Sequence, residues 1–109
     1  MDTSQAIAGL AAIAQESRLA VFRLLVQAGP DGLIASKISD QLGIPPSSLS
    51  FHLKELSRAD MVSVQQDGRF MIYAANFETM NNLIGYLTEN CCGGKPCAPD
   101  STSPSFTCC

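Results

Sequence analysis

A turn and the helix that follows it are encoded in residues 42–58, which read LGIPPSSLSFHLKELSR. Gly43 is a natural left-handed residue for ending a preceding helix. Pro46 is tolerated in a first helical turn, because its missing N–H would have no partner there. Three leucines then recur at helical spacing and form one apolar face: Leu49, Leu53 and Leu56. The stretch predicts a helix over residues 46–59 that presents its polar side chains on the other faces.

Three further helices are predicted before this one, over residues 4–14, 17–28 and about 35–42. The first carries an apolar stripe of Ile7, Leu10, Ala11 and Ala14. The second carries a stripe of Leu19, Phe22, Leu25 and Val26. The run Gly29-Pro30-Asp31-Gly32 breaks the chain between the second helix and the third.

After residue 60 the apolar period changes from 3.6 to 2. Val62 and Val64 share one face of a predicted strand, and Phe70 and Ile72 share one face of the next. Asp67-Gly68 lies between the two strands and is a strong two-residue hairpin signal.

A final helix is predicted from residue 77 to about 90, with apolar residues at heptad-like spacing: Phe77, Met80, Leu83, Ile84 and Leu87. The whole order is mainly α with a β-hairpin and predicts a winged helix-turn-helix, whose second helix of the pair enters the major groove of DNA. So small a domain has little interior left to cover the last stripe. We therefore expect a homodimer in which this stripe meets Ile7 and Leu10 of a second copy.

The length of 109 residues supports one domain, which we place at residues 1–90, followed by a flexible, cysteine-rich tail at 91–109. The net charge of −3 does not favour nucleic-acid binding, although acids and bases balance in the central stretch. No apolar run is long enough to cross a bilayer and no secretory signal is evident, so we expect a cytoplasmic protein with no membrane partner.

All five cysteines lie within residues 91–109, among Gly, Pro, Ser and Thr rather than at core positions. In a reducing compartment such a cluster is more often metal-binding, catalytic or redox-active than a set of structural disulfides, and an odd count fits a closed disulfide framework poorly. The tail therefore predicts a receptor for a soft ion, with unstructured, incidental cysteines as the less favoured interpretation.

The run from Leu42 to Leu56, followed by Met61-Val62 and the Asp67-Gly68-Arg69 tip, resembles the ArsR/SmtB family of metal-responsive transcriptional repressors. The resemblance extends from about Arg18 to Asn90. It implies a homodimer that binds double-stranded operator DNA when empty and releases it when a metal or metalloid binds.

In that setting the expected DNA contacts are Ser47, Ser48, Ser50, Phe51, His52 and Lys54 on the second helix of the pair and Arg69 at the wing tip. Each has an ordinary structural alternative. Ser47 and Ser48 could cap the helix, His52 could be a packed scaffold residue, and Lys54 could simply face solvent. DNA contact is favoured for Ser48, Ser50 and Arg69, whereas His52 and Phe51 are evenly balanced. Phe51 also replaces a His often found beside this histidine in the family.

The Cys-x-Cys box that the family often carries on the first helix of the pair is absent, its positions being held by Ile34 and Ser36. Asn90-Cys91-Cys92 followed by Cys97 looks like the subgroup of arsenic repressors whose ligands follow the last helix. This resemblance implies As(III) as effector, with Sb(III) or a methylated arsenical as variants, bound by Cys91, Cys92 and Cys97. Adjacent cysteines cannot face each other on a continuing helix, so Gly93-Gly94 is expected to end the helix.

Other interpretations stay open at this point. Zn(II) or Cd(II) could use four of the five thiols, or vicinal cysteines could oxidise in a redox switch. Cys108 and Cys109 could supply an accessory soft-metal pair or have no function. A small thiol enzyme is disfavoured, because no Cys-x-x-Cys lies near a βαβ pattern and the single histidine is remote from the cysteines.

Overall fold

The computed structural model describes residues 1–94, which form five α-helices and a three-stranded sheet. In chain order the elements are α1 (Thr3–Ile13), α2 (Glu16–Ala28), β1 (Leu33–Ile34), α3 (Ala35–Leu42), α4 (Pro46–Arg58), β2 (Val62–Asp67), β3 (Phe70–Ala75) and α5 (Phe77–Leu87), followed by a 3₁₀ turn at Cys91–Gly94. The predicted mainly α fold with a β-hairpin is confirmed. Helices α3 and α4 are the helix-turn-helix pair, and the hairpin is the wing.

The turn between α3 and α4 is built as the sequence predicted. Gly43 adopts φ 66° and ψ 29°, the left-handed conformation that a glycine takes without steric cost, and its N–H donates to the Ser39 carbonyl at 2.8 Å. The Ser39 hydroxyl donates to the carbonyl of Ile44 within the same turn. These two bonds fix the angle at which α4 leaves α3, and so the direction in which α4 is presented.

The sheet has the antiparallel order β1-β3-β2. The hairpin register pairs Val62 with Ala75 and Asp67 with Phe70, so the predicted strand faces are confirmed. The sequence prediction lacked β1, a two-residue strand that pairs Leu33 with Tyr73. Two residues have no measurable period, and only pairing with β3 makes this segment a strand.

The core lies between the helices and the base of the wing. Its fully buried large side chains come from α2, α3, α4 and the start of the wing: Val21, Leu25, Ile38, Leu49, Leu56 and Met61. Leu53 is also buried, so all three leucines of the α4 face point inward as predicted.

The face of helix α1 that packs against the core is not the face that carries its large apolar residues. Its buried residues are Ala6, Gly9 and Ala12, while Ile7 is 60% exposed and Leu10 39% exposed. Close packing explains the choice: a Cβ on Gly9 would lie only 3.2 Å from the Met61 sulfur. Small residues let α1 approach the core, and its larger side chains remain on the surface.

Helix α5 ends at Leu87, earlier than the predicted boundary near residue 90. The Thr88 hydroxyl donates to the Ile84 carbonyl at 2.8 Å, and Asn90 takes a left-handed φ of 58°. The chain has therefore left the helix before it reaches the Gly93-Gly94 pair that was expected to end it. No helix within residues 1–94 is long and apolar enough to cross a membrane.

Candidate nucleic-acid interface and cysteine segment

The first turn of α4 exposes a row of hydroxyls. Ser47, Ser48 and Ser50 are all exposed, and no side chain caps the helix, whose N-cap residue is Pro45. The Leu49 N–H donates to the Pro45 carbonyl at 2.9 Å, whereas the N–H groups of Ser47 and Ser48 precede this bond and have no such acceptor. The capping alternative for these serines is therefore not the one used. Their hydroxyls and N–H groups are available to an anion at the positive end of the helix.

One turn further along α4, an arginine from α2 joins two neighbouring aromatic side chains. Arg18 Nε donates to His52 Nδ1 at 3.3 Å, and the Arg18 guanidinium lies 5.5 Å from the centroid of the Phe51 ring. The Phe51 and His52 ring centroids are 5.9 Å apart and the rings are inclined at 60°. His52 is half-buried, so it has the scaffold contact that the sequence left as an even alternative, while Phe51 is 54% exposed.

Sequence reasoning missed Arg18 as part of this site, because it lies 34 residues away from His52. The available signal was the combination of a cation on α2 with two adjacent rings on α4, since an arginine can both donate to an imidazole nitrogen and lie over an aromatic ring.

Two cations complete the candidate interface. Lys54 is exposed on α4, and Arg69 is exposed in the hairpin tip next to Gly68, whose φ of 63° permits the tight turn. Across residues 1–94 the ion pair formed is between Arg58 and Glu55, at 3.3 Å. Within the described residues, Lys54 and Arg69 form no ion pair, so both are available to an external anion.

The cysteine segment begins at Cys91, four residues after the end of α5 at Leu87. Cys91 is half-buried and Cys92 exposed, and left-handed values of φ at Cys92 (55°) and Gly93 (68°) bend the chain there. Both cysteines are disulfide-bonded, although the sequence argument disfavoured disulfides. Cys97, Cys108 and Cys109 lie outside the described residues, and among residues 1–94 no group of three or more His, Cys, Asp or Glu could hold a metal ion.

An apolar surface lies on the side of α1, α2 and α5. Its exposed members are Ile7, Leu10, Leu19, Ile84 and Leu87. All of them except Ile7 line a groove of about 450 Å³, which Phe22, Met61 and Leu83 also line. The predicted α5 stripe therefore divides, with Leu83 buried in the protomer and Ile84 and Leu87 left outside it.

Comparison with known proteins agrees with this architecture. Residues 13–65 match a protein family described as a helix-turn-helix domain. An ArsR-like transcriptional regulator from Rhodococcus sp. RHA1 has a TM-score of 0.69 and 23% identity, over 77% of this chain and 76% of that chain. The homodimeric winged helix-turn-helix DNA-binding domain of Mb0332 from Mycobacterium bovis, a possible ArsR-family transcriptional regulator, has a TM-score of 0.65 and 18% identity, over 80% and 81%.

A third solved structure, of a possible transcriptional regulator for arsenical resistance, has a TM-score of 0.63 and 23% identity, over 72% of this chain and 79% of that chain. The search of curated proteins found no match.

The helix pair, the wing and the matched domain define the class as a winged helix-turn-helix protein. Solved structures of ArsR-like transcriptional regulators share this fold, in agreement with the fold that the resemblance implied. The helix-turn-helix match favours a DNA-binding protein over the thiol enzyme that the sequence already disfavoured.

Proposed function

We propose that this chain is an ArsR-type, DNA-binding transcriptional regulator. It would repress an arsenic-resistance operon and leave its operator DNA when As(III) binds Cys91, Cys92 and Cys97. The observation that carries the proposal is the placement of Cys91-Cys92 in a bent segment that begins four residues after the last residue of α5. The bend removes the geometric objection to adjacent ligands on a helix. Reduced thiolates are the donors that soft ions select, and As(III) needs three of them.

The DNA-binding face, in this proposal, is the exposed side of α4 together with the wing tip. The hydroxyls of three serines would bind DNA phosphates or base edges: Ser47, Ser48 and Ser50. The side chains of Lys54 and Arg69 would pair with phosphates of the DNA backbone. The uncapped first turn of α4 supports this assignment, since its N–H groups and the helix dipole both favour a phosphate. Phe51 lies on the same helix and is exposed to the same partner.

The functional unit proposed is a homodimer formed through the apolar surface of α1, α2 and α5 defined above. Five large apolar side chains exposed on one side of a small domain are more than scattered surface residues require. A two-fold dimer would present two copies of α4 to two DNA half-sites, and the cysteine segment would then adjoin the helix that forms the interface.

The effector would act by differential binding. Closing three sulfurs around one ion reorganises the segment that follows α5, so the ion would favour an arrangement of the dimer with weaker DNA affinity. The same factor must then apply in reverse, with DNA weakening arsenite binding.

One structural observation favours a second candidate, a redox-sensing repressor. Cys91 and Cys92 are disulfide-bonded in the structure, so oxidation of this segment is geometrically accessible. In that case the oxidised chain would release DNA without any ion. Zn(II) or Cd(II) sensing would instead need four thiolates, two or more of them beyond the described residues.

Arsenite titration of the reduced, DNA-bound protein tests the proposal. The DNA would be a duplex that the wild-type chain selects from a random-sequence library, and fluorescence anisotropy would follow release. We expect release by arsenite in the wild type and loss of release in Cys91→Ser, Cys92→Ser and Cys97→Ser. Cys108→Ser and Cys109→Ser are matched controls that should still respond.

The number of thiols lost per bound ion separates the candidates. Three indicate As(III), four indicate Zn(II) or Cd(II), and release by peroxide alone indicates redox sensing. Full release by arsenite in all three tested serine variants would refute the assigned ligands, and a saturated wild type that stays on its duplex would refute arsenic sensing.

A further inference from the structure

We infer that Arg18 is a positioning residue for DNA binding, because it fixes the proton of His52 so that the imidazole can donate to a DNA phosphate. The inference rests on the proposed function, in which α4 is the helix that contacts DNA. Arg18 lies on α2, outside the helix-turn-helix pair, and acts through the side chain of His52.

The direction of one hydrogen bond sets the tautomer. Arginine nitrogens are donors and never acceptors, so in the 3.3 Å contact the Arg18 Nε–H donates and His52 Nδ1 accepts. A ring nitrogen that accepts carries no proton. Neutral His52 must therefore carry its proton on Nε2, the other ring nitrogen.

The Nε2–H group is accessible from outside. Among the described residues, the His52 side chain makes one hydrogen bond, in which Nδ1 accepts from Arg18. No buried side-chain nitrogen or oxygen within residues 1–94 lacks a partner, so an unbonded Nε2 must reach solvent. The structure thus presents a donor with a defined tautomer and no protein acceptor.

Position along the helix indicates the acceptor. His52 follows the exposed Ser48 by four residues, which makes the two side chains neighbours on one face of α4. Ser48 belongs to the uncapped first turn, where a phosphate is favoured. An imidazole donor one turn below would bind the same or the adjacent phosphate.

Phe51 keeps Arg18 in place for this role. The guanidinium lies 5.5 Å from the Phe51 ring centroid, within the range of a cation–π contact. Arg18 therefore contacts two successive side chains of α4 and restricts both. Because His52 is already ordered in the free protein, DNA binding does not have to pay the entropy cost of ordering it.

NMR of the free protein tests the tautomer. The chain has a single histidine, so the two ring nitrogens give unambiguous long-range ¹H–¹⁵N signals at a pH where the ring is neutral. We expect the Nε2–H tautomer in the wild type and a mixture in Arg18→Gln. Arg58→Gln, which removes an exposed arginine from a surface ion pair, should leave the spectrum unchanged. A predominantly Nδ1–H ring in the wild type would overturn the inference.

DNA affinity tests the role, using a duplex selected by the wild type. We expect Arg18→Gln to weaken binding roughly tenfold, the effect of losing one oriented bond to a charged group. Arg18→Lys keeps the charge without the planar Nε–H and should lose a similar factor. His52→Gln, which places an amide donor near the Nε2 position, should retain more affinity than His52→Asn. Circular dichroism would confirm that each variant is folded.

A double-mutant comparison separates positioning from direct contact. If Arg18 acts through His52, Arg18→Gln costs little more once His52→Asn is present. Equal losses in both backgrounds would mean that Arg18 itself contacts DNA, and would overturn the inference while leaving the proposed function intact. Failure of the wild type to select any duplex would overturn both.

Discussion

Substituting Leu87 by alanine should weaken the proposed dimer without destabilising the protomer. Leu87 lies in the last turn of α5 and is 59% exposed, so its side chain makes few contacts within its own chain. Its neighbour in the stripe, Leu83, is 5% exposed and belongs to the core. The two leucines lie on one helix, but Leu83 is covered by its own chain and Leu87 would be covered by the second copy. They are therefore a matched pair for separating the two effects.

The exposed fraction sets the magnitude. Burying a whole leucine side chain contributes about 2 kcal/mol, so covering the remaining 59% of Leu87 is worth about 1 kcal/mol in each protomer. A two-fold interface uses each residue twice, so Leu87→Ala should cost about 2 kcal/mol of association free energy, or roughly 30-fold in Kd.

Sedimentation velocity over a concentration series measures this Kd, and urea unfolding measures the protomer. Leu87→Ala should shift the monomer–dimer equilibrium with little change in the unfolding of the monomer. Leu83→Ala should lower the free energy of unfolding by about 2–5 kcal/mol, as expected for a buried leucine. Asn82→Ala, an exposed polar position on α5 beside a separate cavity, is the control. Dissociation constants of wild type and Leu87→Ala within twofold of each other would refute the proposed interface, as would a wild type that stays monomeric.

Three further predictions follow from the fold and the candidate interface. Gly32→Ala should lower the free energy of unfolding by more than about 3 kcal/mol, because its Cβ would lie 2.4 Å from the Tyr73 carbonyl oxygen. Gly43→Ala has open space around its Cβ and should lose only about 1–2 kcal/mol, from left-handed backbone strain. Urea unfolding compares the two variants, and equal losses would contradict the steric reason. Arg69→Gln should weaken DNA binding across sequences and reduce the slope of log K against log salt by about 1, whereas an unchanged slope would remove the wing tip from the phosphate contacts. Leu56→Ala should lower the urea midpoint by the equivalent of about 2–5 kcal/mol with an unchanged m-value, since Leu56 is fully buried, and a loss below about 1 kcal/mol would contradict its place in the core.

The sequence predicted the elements that local chemistry determines. Gly43 and Pro46 set the turn between α3 and α4, and the Asp67-Gly68 pair set the hairpin, because each needs only its own backbone preference. The buried face of α4 was also predictable, since its leucines repeat at the helical period.

Features that depend on a distant partner were not predictable in the same way. Strand β1 exists because β3 lies beside it, and no period can appear in two residues. On α1 the stripe that contains Ile7 and Leu10 gave no sign that the face containing Gly9 would pack closely against Met61. The Arg18–His52 bond joins positions far apart in sequence, so only the tertiary structure brings it into view.

Any coupling between the cysteine segment and the DNA-binding helix must be carried by the elements that connect α5 to α4. Helix α1 packs against both, and near Gly9 it approaches Met61 and Leu83 together. The Thr3 and Tyr86 hydroxyls also join the start of α1 to the last turn of α5.

A displacement at the end of α5 would therefore reach α4 through α1, which packs too closely at Gly9 to absorb movement by local rearrangement. In the proposed dimer α1 and α5 also supply the exposed apolar side chains. In that dimer α1 and α5 would set the distance between the two copies of α4, and α5 also leads into the cysteine segment. A change in the conformation of the cysteine segment would therefore change the distance between the two copies of α4.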